Sequence, residues 1–165
     1  GMYNVDEKRI YLLGFSNGGQ MAFRCAVEMS DVLAAVVENA ASTSDDVTRP
    51  TARNIPVAFQ FGNEDDRFFS SPASLADFEK GLTAPYFQRV IQSHTGTFHY
   101  VTEPTFSGDT NTVRIATFAS TTAGESRTFN IVMVKGLGHA YPNGVNHWMK
   151  GAERHWDWLK QFSLP

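Results

Sequence analysis

The 165-residue sequence predicts an α/β fold, a mostly parallel sheet with flanking helices and an inserted β-hairpin, and three observations carry that prediction. Residues 9–13 form an apolar, strand-like run that passes through a glycine turn straight into a helical pattern. Residues 55–61 and 129–135 are two more apolar runs, each of strand length and each followed by a polar or glycine-rich loop. The chain then closes on an amphipathic stripe. Strands that alternate with helical segments bury both sheet faces and favour parallel order.

The elements follow in sequence. Residues 32–40 are apolar and β-branched enough for a second buried strand after the first helix, and residues 41–54 read as a polar connection. A short helix is expected over residues 71–81, with Leu75, Phe78 and the terminal Gly81 as its signs. Another is expected over residues 86–93, where Phe87, Val90 and Ile91 share helical spacing. Between residues 98 and 129, Val113, Ile115 and Phe118 and a turn at 121–125 suggest a hairpin leading into the next strand. The last helix is expected over residues 146–162, with Trp148, Ala152, Trp156, Leu159 and Phe162 as its core-facing stripe. No linker divides the chain, so residues 1–165 read as one domain. Gly1-Met2 reads as a tag remnant and an initiator methionine.

Chemistry concentrates where the first strand turns. Gly14-Phe15-Ser16-Asn17-Gly18 places a serine at a sharp strand-to-helix junction, and Gly14 and Gly18 are expected to let strand and helix approach closely. The following helix would aim its N-terminal dipole at the reacting centre, with the backbone N–H of Asn17 placed for an oxyanion. Ser16 as a helix cap, or as part of an ordinary turn, is the plainer alternative. A phosphate loop is excluded because Gln20-Met21 stands where it would carry lysine and then serine or threonine.

A serine hydroxyl needs a base to take its proton and a carboxylate to orient that base. Residues 62–66 form an acidic turn at the carboxyl end of the 55–61 strand, where sites form in open α/β sheets. Asp65 is the expected acid, with Asp66 and Glu64 as alternatives. His139 lies on the glycine-rich loop 136–144 just past the 129–135 strand and is the expected base, since histidine can accept a proton and return it near neutral pH. His94, His99, His147 and His155 lack this setting and read as surface or half-buried aromatics. Ser16, Asp65 and His139 fall in the chain order serine, acid, histidine of α/β-hydrolases.

The elbow region from Tyr3 through Met21 resembles that of the polyhydroxybutyrate depolymerase and feruloyl esterase group of α/β-hydrolases. Gly62 and Asp65 match the group's Gly-x-x-Asp acid loop, and Gly138-His139-Ala140-Tyr141-Pro142 is similar to its Gly-His-x-Trp-Pro loop. Phe61 departs from a usual histidine, Tyr141 from a usual tryptophan, and the cysteine pairs of many secreted members are missing. The resemblance implies the C-terminal portion of an α/β-hydrolase fold and hydrolysis of carboxylic esters. The implied substrates are polyhydroxyalkanoates, feruloylated or acetylated polysaccharides, or small acyl esters. Gln20, Tyr141 and Phe68, or Phe69, are candidate pocket-lining groups.

In the group, several strands and a His-Gly loop with a second oxyanion donor precede the elbow. This sequence does not contain them. Residues 10–13 are therefore expected to form an apolar sheet edge, open to pairing with a second copy. Loss of one oxyanion donor typically costs about 2.7 to 4 kcal/mol of transition-state stabilisation. An impaired hydrolase acting as a binding or assembly module, or a peptidase or lactonase of the same fold, remains the alternative to an esterase.

Composition narrows the rest. With 42% hydrophobic and 19% charged residues the chain can bury one core, and a net charge of -3 without clustered Lys/Arg argues against nucleic acid as a partner. The apolar runs are too short for a membrane span. The single cysteine, Cys25, cannot form an internal disulfide and reads as a buried structural thiol on the elbow helix. No metal-ligand spacing occurs, and the expected chemistry needs no cofactor.

Overall fold

The structure is a computed structural model that describes residues 3–41 and 50–165. Gly1-Met2 and most of the 41–54 connection lie outside the described residues. Six strands form one sheet in the order β1-β2-β3-β6-β5-β4. They are β1 (Tyr11–Phe15), β2 (Ala35–Asn39), β3 (Val57–Gly62), β4 (Thr105–Asp109), β5 (Val113–Ala119) and β6 (Thr128–Val134). The pairs β1·β2, β2·β3 and β3·β6 are parallel, whereas β5 runs antiparallel to both β6 and β4. The expected hairpin is therefore β4–β5, which extends the sheet beyond the strand that leads to His139. At the opposite end β1 pairs, among the described residues, with β2 alone, and Leu13 is exposed there, as expected of a sheet edge.

Strand periodicity sorts the core. Val57, Phe59 and Phe61 of β3 and Phe129, Ile131 and Met133 of β6 enter one large apolar cluster with helices α1 (Asn17–Glu28) and α3 (Pro85–Phe98). The alternate residues Ala35, Val37 and Ala58 pack on the other face with Leu159 of α4 (Gly151–Leu159). Pro85 sits in the first turn of α3, where its missing N–H costs nothing, and the helix runs five residues beyond the expected end. The helix expected over 71–81 begins later, as a 3₁₀ turn Leu75–Asp77 that continues into α2 (Phe78–Gly81). Cys25 is a free thiol, half-buried against the large cluster.

Three expectations need correction. The last helix starts at Gly151, because residues 143–146 form a loop in which Asn143 Oδ1 accepts from the N–H groups of Val145 and Asn146. Its buried face is Gly151, His155 and Leu159, while Ala152 is exposed and Trp148 and Trp156 are more than half exposed. Gly151 explains the rotation: a Cβ there would lie 2.5 Å from Pro142 O, so the helix start presses its bare backbone onto the histidine loop.

The second correction concerns histidine. His94, His147 and His155 are buried. His94 stacks on Phe129 at 4.4 Å and pairs with the buried Glu38 of β2 at 3.1 Å. His155 Nε2 lies 3.1 Å from Gln60 Oε1, and its Nδ1 lies 3.0 Å from the Tyr141 hydroxyl.

The third concerns glycine at the turn. Gly14 does sit at a close approach, 1.9 Å from Gly18 O if a Cβ were added, but its partner in tight packing is Gly19, whose Cβ would meet that of Ala41 at 2.6 Å. A Cβ on Gly18 meets nothing within 4 Å.

Candidate active site

Ser16 sits between β1 and α1 with φ 54° and ψ -120°, in the half of backbone space that L residues avoid. Such a conformation costs about 1–3 kcal/mol and persists only where its surroundings fix it. Three backbone hydrogen bonds do so here. Ser16 N–H donates to Asn39 O at 2.8 Å, while Ser16 O accepts from Gly19 N–H at 2.8 Å and from Gln20 N–H at 3.2 Å. The side chain is thereby carried clear of the helix it precedes, and it makes no capping bond.

The acid and histidine loops are joined to each other. Asn63, one residue past β3, is the fastener: its Nδ2 donates to Ala73 O at 2.8 Å and its Oδ1 accepts from Gly136 N–H at 2.7 Å. Its backbone N–H donates to Val134 O and that of Glu64 to Leu137 O, so the two loops leave neighbouring parallel strands as one unit. Gly62 allows the contact, since an added Cβ would fall 1.7 Å from Leu137 O.

This scaffold brings together three side chains far apart in sequence. His139 Nδ1 lies 2.9 Å from Asp65 Oδ2, and His139 Nε2 lies 3.0 Å from Ser16 Oγ. A carboxylate only accepts, so Nδ1–H donates to Asp65 and Nε2 is left to accept from the serine hydroxyl. Asp65 is fully buried, and its other oxygen accepts from Arg67 N–H at 3.0 Å. Glu64 and Asp66, the alternative acids, are exposed. Phe15 packs its ring on that of His139 at 5.1 Å.

The serine and histidine open onto a cleft of about 180 Å³, lined also by Asn17, Ala40, Ala41, Arg67, Phe68 and Tyr86. Asn17 opens α1, where backbone N–H groups have no partner inside the helix. Phe68 is among the residues that line the cleft. Gln20, Tyr141 and Phe69 are not among its walls. Tyr141 instead meets His155, and burial raises its phenol above the ordinary range.

Arg67, Tyr86 and the Ala40-Ala41 pair were not legible as site residues. Tyr86 hydroxyl donates to Ala41 O at 2.6 Å, and burial raises its phenol strongly. Ala40 has φ 48°, a second strained position beside Ser16 that only a sequence with local glycine or asparagine would have advertised.

The profile of the Dienelactone hydrolase family matches residues 2–114, more than half of the sequence. The chain belongs to that family. The match takes in Ser16 and Asp65 and ends before β6 and His139. Among solved structures this dienelactone hydrolase family member is similar to an acetyl xylan esterase from Aspergillus awamori, with a TM-score of 0.58 and 15% identity. The likeness covers 96% of this chain and 62% of that one, so the chain spans less than two thirds of that esterase's length. At this identity the likeness bears on the fold, the same α/β arrangement of sheet and helices. A search of curated proteins finds no match. Among the described residues no group of histidine, cysteine, aspartate and glutamate is placed to hold a metal ion, and no helix is long and apolar enough to cross a membrane.

Proposed function

We propose that this member of the dienelactone hydrolase family is a serine hydrolase of carboxylic esters, with Ser16, His139 and Asp65 as its catalytic triad. The observation that carries the reading is His139 standing between the other two at 3.0 and 2.9 Å, with a tautomer that leaves Nε2 free to accept a proton. Family membership supports ester hydrolysis as the reaction class, and the acyl group is of the kind named by the elbow resemblance: hydroxyalkanoate, feruloyl, acetyl or a small acyl ester.

In the proposed mechanism Ser16 Oγ attacks the carbonyl carbon while its proton passes to His139 Nε2. Asp65 stabilises the imidazolium and keeps it oriented. Asn17 N–H, at the positive end of α1, faces the oxyanion. The tetrahedral intermediate collapses, the C–O bond to the alcohol breaks, and His139 returns the proton to the departing oxygen. Water then attacks the acyl-serine by the same route, and the carboxylic acid leaves with Ser16 restored.

The test is covalent labelling with a fluorophosphonate together with turnover of p-nitrophenyl acetate. The unaltered protein is expected to label once and to turn over, and Ser16→Ala is expected to do neither, with kcat down by roughly 10⁶. Turnover that survives Ser16→Ala sinks the proposal.

A further inference from the structure

A second and larger cavity, about 500 Å³, adjoins the cleft at Ser16. Its walls include Phe68, Phe69, Tyr86, Phe87 and Met133, and Met133 is itself buried. Two of these, Phe68 and Tyr86, also line the catalytic cleft. Their rings lie 5.1 Å apart and inclined at 39°, so together they form a wall common to both spaces.

The two halves of the wall are held differently. Tyr86 is anchored at its far end by the 2.6 Å bond from its hydroxyl to Ala41 O. Phe68 has no polar anchor on its ring. It rides on the turn after Asp65, where its N–H donates to Asp65 O at 3.1 Å, and its ring is half-buried against Phe61, Phe69 and Phe87 at 5.7 to 6.4 Å. The position of the phenyl group therefore depends on apolar packing alone, three residues from the acid that orients His139.

We infer that Phe68 sets the acyl chain-length limit of the site: it closes the cleft at Ser16 to a short acyl group, and the aromatic cavity behind it is a subsite for a medium-length alkyl or acyl chain. This rests on the esterase reading above. The aromatic wall of the second cavity is suited to such a chain, because its rings and Met133 offer dispersion contacts, while Ser74, Asp77, Lys80 and Thr83 make much of the remaining lining polar. Nothing in the cleft itself offers comparable apolar depth.

Two measurements test it, one through turnover and one without. With p-nitrophenyl acetate, butyrate, hexanoate and octanoate, the unaltered protein is expected to lose at least tenfold in kcat/KM between butyrate and octanoate, whereas Phe68→Ala brings the two within about threefold, chiefly through KM. Phe68→Leu, which keeps much of the packing, is expected to fall between them. In the Ser16→Ala protein, octanoate but not acetate is expected to move the ¹³C-methyl resonance of Met133. A chain-length ratio unchanged in both Phe68 variants, or a Met133 resonance that octanoate does not move, overturns the inference. Absence of turnover in every protein with Ser16 intact, together with the expected Met133 shift, would sink the esterase reading while retaining the cavity as an acyl-chain site.

Discussion

Three consecutive acids, Glu64, Asp65 and Asp66, differ chiefly in what the turn does with them. Asp65 points inward, meets His139 and is fully buried, while its neighbours face solvent. Replacing Asp65 by Asn preserves the shape but removes the acceptor that fixes the imidazole tautomer, and it is expected to lower kcat by about 10⁴-fold. Asp66→Asn is expected to leave p-nitrophenyl acetate turnover within twofold of the unaltered protein. The motif position that singles out Asp65 coincides with the one of these three acids that the fold buries beside His139, because strand ends and chain order constrain where the turn lies.

The other histidines were not legible in that way. Glu38 was the available signal for His94, since a lone carboxylate inside an apolar strand requires a buried partner. His155 carries its own consequence. Burial, with some help from the Arg154 charge, lowers its pKa from the ordinary histidine value to about 4. Tyr141 and Gln60 face it with neutral groups. Below about pH 6.5 the unfolded chain therefore takes up a proton that the folded chain refuses, and stability falls as pH drops from there to about 4, by roughly 3 kcal/mol in all. Urea midpoints measured between pH 7.5 and 4.5 are expected to fall less steeply in His155→Gln than in the unaltered protein.

At the scale of elements, the site depends on backbones that touch. Gly62→Ala drives a methyl into Leu137 O and must part the acid loop from the histidine loop. It is expected to destabilise by about 1–3 kcal/mol and to reduce turnover by more than the loss of folded protein explains. Gly81→Ala, where an added methyl meets nothing within 4 Å, is expected to stay within about 1 kcal/mol of the unaltered protein. Denaturation curves and single-concentration assays on the two variants separate these outcomes. The strands and the strand-to-helix turn at Ser16 are readable because their periods and turn residues are local properties. The last helix was misread for the opposite reason. Its apolar residues suggested one rotation, and the contact of Gly151 with Pro142, a property of the folded backbone, imposed another.

At the scale of the whole molecule, the described sheet has a protected middle and two edges, β1 and the fully exposed β4. β3 and β6 lie in the interior of the sheet and carry the acid and histidine loops, which Asn63 fastens together. Ser16 follows β1, which among the described residues pairs with β2 alone. Edge strands open more readily than central ones, because fewer backbone bonds must break. Heating is therefore expected to unseat Ser16, the proposed nucleophile, before it parts His139 from Asp65, which would leave that imidazole and carboxylate paired with no hydroxyl beside them. The sign of this is thermal inactivation several degrees below the loss of helical ellipticity, reversible on cooling so long as the central strands have held.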